Sequence, residues 1–91
     1  MAHAAKLITY SGRVQGVGFR FTAQRIAARC GISGYVRNLP NGGVELFAQG
    51  DGDDVKEMMM DISETFGTQI RDTKVIEAQC NPNYDNFSIT Y

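Results

Sequence analysis

Five short stretches of this chain either alternate apolar with polar positions or are rich in β-branched and aromatic residues, as strands are. Glycine, proline and asparagine residues that favour turns separate them. The clearest turn is Pro40–Gly43, because its residues tolerate the positive φ angles of a tight hairpin. The pattern predicts strands at Lys6–Tyr10, Gly34–Leu39, Val44–Ala48, Gln69–Ile76 and Phe87–Tyr91.

Two other segments carry apolar residues at the three- and four-residue spacing of a helix. Gly31 is a natural C-terminal stop for the first helix, and Gly67 for the second. Asp51 or Asp53 can cap the start of the second helix. The predicted apolar faces are Ala23, Ile26, Ala27 and Cys30 in the first helix, and Val55, Met58, Met59, Ile62 and Phe66 in the second.

The predicted order of elements is β-α-β-β-α-β-β. Two split β-α-β units of this kind form the ferredoxin-like α+β sandwich, with two helices on one face of a mainly antiparallel sheet. In this topology strands 1 and 2 run in the same direction with strand 3 between them. The C-terminal ends of strands 1 and 2 should therefore share one edge of the molecule.

Composition and charge narrow the classes of function. The chain has 91 residues, 43% hydrophobic and 21% charged, as expected for one globular domain spanning residues 1–91. Its formal net charge of −1 does not favour a nucleic-acid partner. Met1–Lys6 lacks the apolar run of a secretion signal, and no stretch reaches the roughly 18 apolar residues of a membrane span. We therefore expect a cytoplasmic monomer without a membrane or nucleic-acid partner.

The two cysteines, Cys30 and Cys80, have no second cysteine or histidine nearby, so the sequence predicts no zinc or other metal site. In the predicted topology the segment that holds Cys80 passes under the end of the first helix, where Cys30 lies. A disulfide between them is one possibility, and two free thiols in a reducing cytoplasm are the other. The single histidine, His3, is expected in a mobile N-terminal tail without a functional role.

The loop Gly12–Arg20 carries the main candidate chemistry. It joins a strand to a helix start, where unpaired backbone N–H groups and the helix dipole favour an anion, and its glycines allow the backbone to curl. The guanidinium of Arg20 adds a fork of donors that matches phosphate oxygens. The glycine spacing is neither that of dinucleotide-binding loops nor that of a Walker loop. The alternative interpretation is that the glycines only form a tight turn and that Arg20 is a solvated helix residue.

The loop Gly12–Arg20, together with Gly34–Gly42, Val44–Glu45 and the final Phe87-x-Ile89-x-Tyr91, resembles the signature of the acylphosphatase family over essentially the whole chain. The resemblance implies the ferredoxin-like fold and hydrolysis of acyl phosphates to a carboxylate and phosphate, without a metal or other cofactor. Inorganic phosphate or sulfate would then compete with the substrate. By the same resemblance Arg20 binds the phosphate and Asn38 positions the attacking water. The phosphate cradle is the backbone of Gln15, Gly16, Val17, Gly18 and Phe19.

Two positions depart from the family pattern, although neither touches the implied chemistry. Tyr35 stands where an aromatic residue, often Trp, is usual, and Tyr10 replaces an aliphatic residue. Asn38 is predicted late in strand 2, at the edge that also holds the loop, so that a neutral amide would lie beside the phosphate. An asparagine near a hairpin can also simply bond the turn backbone.

Two other classes of function use this fold. An RNA-recognition module would need basic and aromatic residues in its central strands, but Val44–Ala48 offers one aromatic and one carboxylate. An acylphosphatase-like part of a larger carbamoyl-transfer enzyme would keep the loop and act on another chain's product. The hydrolase is the favoured hypothesis, with mainly electrostatic catalysis and a phosphate oxygen of the substrate taking the proton from water.

Overall fold

The elements follow one another in the order β-α-β-β-α-β-β, as predicted, with one added turn of 3-10 helix. The computed structural model describes residues 3–91. Met1 and Ala2 lie outside that range. They begin the segment Met1–Lys6, for which the sequence predicted no secretion signal. Neither helix in the described part of the chain is long and apolar enough to cross a bilayer. The elements are β1 (His3–Gly12), α1 (Phe19–Arg29), β2 (Ser33–Asn38), β3 (Val44–Asp51), α2 (Gly52–Phe66), the 3-10 helix Gly67–Gln69, β4 (Ile70–Glu77) and β5 (Phe87–Thr90).

The five strands form one sheet in the order β4-β1-β3-β2-β5. Both β1 and β2 pair antiparallel with β3, with Ile8 and Val36 each opposite Leu46. Two strands antiparallel to the same neighbour run parallel to each other, so the predicted arrangement of strands 1 to 3 is confirmed. The pair β2–β5 is parallel, which makes the sheet mixed. The loop after β1 and the last residue of β2 consequently lie at the same edge.

The core lies between the helices and one face of the sheet. Residues on that face, such as Ile8 and Leu46, are fully buried, as are the helix residues that meet them. Phe19 stacks on Phe66 with their ring centroids 4.4 Å apart, which joins the start of α1 to the end of α2. Both predicted helix faces are largely buried: Ala23, Ile26 and Ala27 in α1 with Cys30 at its C-cap, and Val55, Met58, Ile62 and Phe66 in α2, with Met59 partly buried.

Strands β1 and β3 are longer than their apolar patterns predicted, because their antiparallel pairing continues through less apolar residues to His3 opposite Asp51. The expectation that His3 lies in a mobile tail is therefore wrong, since it is the first residue of β1. Asp51 caps α2, and its carboxylate accepts a hydrogen bond from the N–H of Asp53 at 2.9 Å. At the other end of α2, Gln69 belongs to the 3-10 helix and not to β4.

The connection from β4 to β5 covers the face of the sheet opposite the helices. The side-chain amide of Gln49 donates to the carbonyl oxygens of Asn81 and Tyr84, at 2.9 and 3.2 Å. The ring of Tyr84 lies 5.5 Å from that of Phe47, on the same face. The predicted passage under the end of α1 is wrong for this segment, because these contacts hold it on the other side of the sheet.

Cys30 and Cys80 are both free thiols in the structure, so the disulfide considered from the sequence is not formed. Cys30 is buried on the helix side, with its Sγ 3.9 Å from a carboxylate oxygen of Glu57, whereas Cys80 is exposed. Burial, and then the charges of Glu57 and Asp61, raise the pKa of the Cys30 thiol. The thiol therefore stays protonated and is a poor nucleophile.

Gly34 provides a test of the pairing between β2 and β3. It has a φ of 139°, and a Cβ built there would lie 1.9 Å from the carbonyl oxygen of Phe47. Gly34→Ala should therefore lower the free energy of unfolding by at least about 3 kcal/mol, measured by urea denaturation. The control is Gly31→Ala, where φ is 73° and no atom lies within 4 Å of the added carbon. It should cost only about 1–2 kcal/mol, and equal losses in the two variants would contradict the close approach.

Candidate active site

The loop between β1 and α1 alternates in backbone handedness. Gly16 and Gly18 have φ angles of 76° and 77°, whereas Val17 between them has a negative φ. Glycine reaches the left-handed region without the steric cost that a Cβ brings. Residues of alternating hand turn successive N–H groups toward one side of the chain, which forms a concave site for an anion. The sequence prediction of a curled, glycine-dependent loop agrees with this geometry.

The start of α1 continues the same donor surface. Gly18 is the N-cap and has no side chain that could bond the N–H groups of the first turn. The first hydrogen bond within the helix runs from the N–H of Thr22 to the carbonyl oxygen of Gly18 at 3.0 Å. The N–H groups of the first turn have no acceptor within the helix, and the helix dipole places partial positive charge there. The first turn contains no acidic residue. An external anion therefore meets no competing carboxylate from this turn.

A pocket of about 230 Å³ brings together the ends of the loop, α1, β2 and β5. Arg20 and Asn38, the two predicted catalytic residues, both line it, as do Gly16, Gly18 and Phe19 of the predicted cradle. The two remaining cradle residues are placed differently: Val17 packs against the core, and the side chain of Gln15 binds the hairpin turn. The lining residues are Val14, Gly16, Gly18, Phe19, Arg20, Phe21, Asn38, Ile89 and Tyr91.

The carbonyl oxygen of the Asn38 side chain, Oδ1, is buried and has no hydrogen-bond partner among residues 3–91. Leaving a buried acceptor without a partner costs about 1–3 kcal/mol, so such atoms are uncommon in native proteins. Asn38 does not bond the turn backbone through this atom, contrary to the simpler reading of an asparagine near a hairpin. Its Oδ1 is free to accept a hydrogen bond from a molecule that enters the pocket.

Arg20 is the cationic side chain of the pocket. Its guanidinium carbon lies 4.9 Å from the centroid of the Tyr91 ring, within the range of a cation–π contact. None of the ion pairs among the described residues involves Arg20. Its charge and its fork of N–H donors therefore remain available to an anion, while the aromatic ring supports the guanidinium from one side.

Arg37, next to Asn38 in β2, uses its charge elsewhere. Its Nε donates to a carboxylate oxygen of Glu45 at 3.1 Å, and the hydroxyl of Tyr35 donates to the same oxygen at 2.6 Å. The hydrogen bond from Arg37 keeps the pKa of the Glu45 carboxyl below its usual value. Burial, and then the bond to Glu45, raise the pKa of Tyr35 to about 12. The negative charge of Glu45 is thus paired and lies on the face of the sheet opposite the helices.

The side chain of Gln15 ties the loop to the β2–β3 hairpin. Its Nε2 donates to the carbonyl oxygens of Leu39 and Gly43, both at 2.8 Å. Leu39 follows Asn38 directly, so these bonds join the backbone of the cradle to the backbone that carries the Asn38 amide. From the sequence only the backbone N–H of Gln15 was expected to take part in the site, and this side-chain contact was not foreseen. Residue type and spacing alone give no signal for it.

Two other features of the described chain lie apart from this pocket. An apolar cavity of about 540 Å³ between α2 and the β1–β4 side of the sheet is lined by Met59, Met60 and Val75 among others, and includes none of the predicted site residues. Cys30, Glu57 and Asp61 have possible metal ligand atoms within 4.8 Å of one another. The Asp61 carboxylate is already paired with Arg29, and this group lies about 15 Å along α1 from Arg20.

Comparisons with known proteins point to one family. A sequence model described as acylphosphatase matches residues 6–89. A curated acylphosphatase of Methanothrix thermoacetophila is 36% identical over 85 residues, which cover 92% of this chain and 93% of that protein. The crystal structure of acylphosphatase from Bacillus subtilis superposes with a TM-score of 0.88 at 30% identity and covers 99% of this chain and 100% of that chain. A structure of full-length HypF in the phosphate- and nucleotide-bound form has a TM-score of 0.85 at 26% identity, with 99% of this chain and 12% of HypF covered.

The two hydrogen bonds of Gln15 can be tested without any ligand. Gln15→Met keeps the length of the side chain but removes both donors, and should lower the free energy of unfolding by about 1–2 kcal/mol. The matched control is Gln24→Met, because Gln24 makes one longer bond, 3.3 Å, to the carbonyl oxygen of Phe87. Urea denaturation of both variants measures the difference. A smaller loss for Gln15→Met than for Gln24→Met would contradict the role given to Gln15.

Proposed function

The chain belongs to the acylphosphatase family, and we propose that it hydrolyses acyl phosphates to a carboxylate and inorganic phosphate at the pocket that holds Arg20 and Asn38. One observation carries the proposal: an unpaired guanidinium, a left-handed glycine loop and an unpartnered amide oxygen line the same small pocket. The guanidinium and the loop offer donors suited to phosphate, and the amide oxygen offers an acceptor suited to water.

In the proposed complex the phosphate group is held mainly by positive charge and N–H donors. The loop from Gln15 to Phe19 and the first turn of α1 direct backbone N–H groups at its oxygens, and Arg20 adds two parallel donors. In the transition state the negative charge is spread over the three equatorial oxygens, so donors that are fixed beforehand around them stabilise it. Phosphoryl transfer asks little covalent chemistry of the protein, and positioning supplies much of the rate.

Asn38 is proposed to position the attacking water. Its Oδ1 accepts a hydrogen bond from the water, and a neutral amide adds no negative charge beside the phosphate. The water oxygen forms a bond to phosphorus while the bond from phosphorus to the bridging oxygen breaks and the carboxylate leaves. A phosphate oxygen of the substrate takes the proton from the water. This assignment fits the lining of the pocket, which includes no His, Asp, Glu or Lys side chain.

No metal is required by the proposed reaction, because Arg20 and the backbone donors supply the positive charge and a carboxylate is a good leaving group. Inorganic phosphate or sulfate should compete for the same donors. We further propose that the protein acts as a monomer in the cytoplasm, which is consistent with its two free thiols.

The role proposed for Arg20 can be tested by substitution. The protein should release phosphate from acetyl phosphate in the presence of a chelator, and Arg20→Gln should lower kcat/KM at least about 10²- to 10³-fold, because a charged fork of donors is lost from a preorganised site. Arg20→Lys should recover little, since an ammonium group cannot form the two-pronged contact. Arg29→Gln, in the last turn of the same helix, is the control and should retain activity. Near-normal turnover by folded Arg20→Gln would place the site elsewhere.

Substitution of Asn38 separates the binding of phosphate from the chemical step. Asn38→Ala should lower kcat about 10²-fold, because a misplaced nucleophile loses much of the advantage of proximity, and should leave competitive inhibition by phosphate nearly intact. Asn38→Asp should weaken that inhibition as well, because a carboxylate repels the anion. The exposed Asn83 provides a control in Asn83→Ala. A large loss of phosphate affinity in Asn38→Ala, with kcat unchanged, would contradict the water-positioning role.

A further inference from the structure

The pocket has an apolar side as well as a phosphate-binding side. Phe21, Ile89 and Tyr91, here called the apolar wall, line the same pocket as Arg20 and Asn38. Phe21 is 59% exposed and Tyr91 is 96% exposed, so most of both rings faces solvent at the mouth of the pocket. A phosphate ion makes no favourable contact with an apolar surface. The apolar wall is therefore placed to contact the group that is bonded to the phosphate.

The position of Phe21 on α1 excludes a packing role. The core side of the helix is formed by Phe19, Ala23, Ile26 and Ala27. Phe21 is two positions from Phe19 and from Ala23, which is about 200° around the helix from each. Its ring contacts the guanidinium of Arg25 at 6.0 Å and takes no part in the core. Single exposed apolar residues are common, but this one directly follows Arg20 and lies at the rim of the pocket.

The size of the pocket leaves room for an acyl group. A phosphate group fills on the order of 60 Å³, about the volume of two waters, whereas the pocket is about 230 Å³. The acyl carbon is joined to the phosphate through one bridging oxygen, so the acyl group must begin beside the phosphate and extend toward the mouth. The apolar wall is the surface that the acyl group meets there.

We propose that Phe21, together with Ile89 and Tyr91, binds the acyl group and makes the enzyme selective for aromatic and other bulky apolar acyl phosphates over acetyl phosphate. This inference rests on the proposed function. An aromatic acyl group can stack on or meet the edge of the Phe21 ring, and both arrangements are favourable. The single methyl of an acetyl group is too small to bury much of the wall, so it gains little from this contact.

The test compares two substrates, benzoyl phosphate and acetyl phosphate, in the wild-type protein and in Phe21→Ala. The variant should lose about tenfold in kcat/KM for benzoyl phosphate, mainly through KM, and less than about twofold for acetyl phosphate. The inhibition constant of inorganic phosphate should not change, because the donors that hold phosphate are intact. Phe21→Tyr keeps the ring and should retain the wild-type ratio of the two kcat/KM values.

Met60→Ala is the matched control, because Met60 is 56% exposed on α2 and does not line this pocket. It should leave both kcat/KM values unchanged. An unchanged ratio in Phe21→Ala would overturn the proposal, whether both substrates lose activity equally or neither does. A failure of the proposed function gives a different result, since the wild-type protein would then release phosphate from neither substrate.

Discussion

The pairing of β1 and β2 with the same central strand is the constraint on which the site depends. Because both strands are antiparallel to β3, both end at one edge of the sheet, and the loop after β1 and the Asn38 side chain meet there. The Gln15 bonds to Leu39 and Gly43 then fix the distance between these two ends. Neither the loop nor β2 contains a complete site. The arrangement of strands makes one site out of two segments that are separated along the chain.

The alternation of side chains along β2 places Arg37 and Asn38 on opposite faces of the sheet. Successive residues of a strand point to opposite faces, so Asn38 lines the pocket while Arg37 pairs with Glu45 on the face opposite the helices. The carboxylate of Glu45 is thereby paired and separated from the pocket by the sheet. Arg20 faces no such partner, and the N-terminal turn of α1 adds no acidic residue. The pocket is left with positive charge and neutral dipoles, which is the environment that a phosphate requires.

Much of the fold, and the candidate residues that line one pocket, could be predicted from the sequence, because the elements and the glycine loop depend on local patterns. Hydrophobic spacing predicted every strand and both helices, and the glycines before Arg20 predicted the loop. The errors came from contacts between distant segments. The bonds of Gln49 to Asn81 and Tyr84 decide on which side of the sheet the last connection passes, and no periodicity encodes them. The hydrogen bonds from the Gln15 side chain to the hairpin were missed for the same reason. Their acceptors are backbone carbonyl oxygens, which every residue has.

Strand β4 lies at the edge of the sheet, and its residues from Arg71 to Glu77 are exposed. Two strands separate it from β2, so its charged side chains lie about 14 Å from that strand, beyond the screening length of about 8 Å at physiological ionic strength. Substitutions at Lys74 or Glu77 can therefore change the net charge of the protein at a distance from the strand that carries Asn38.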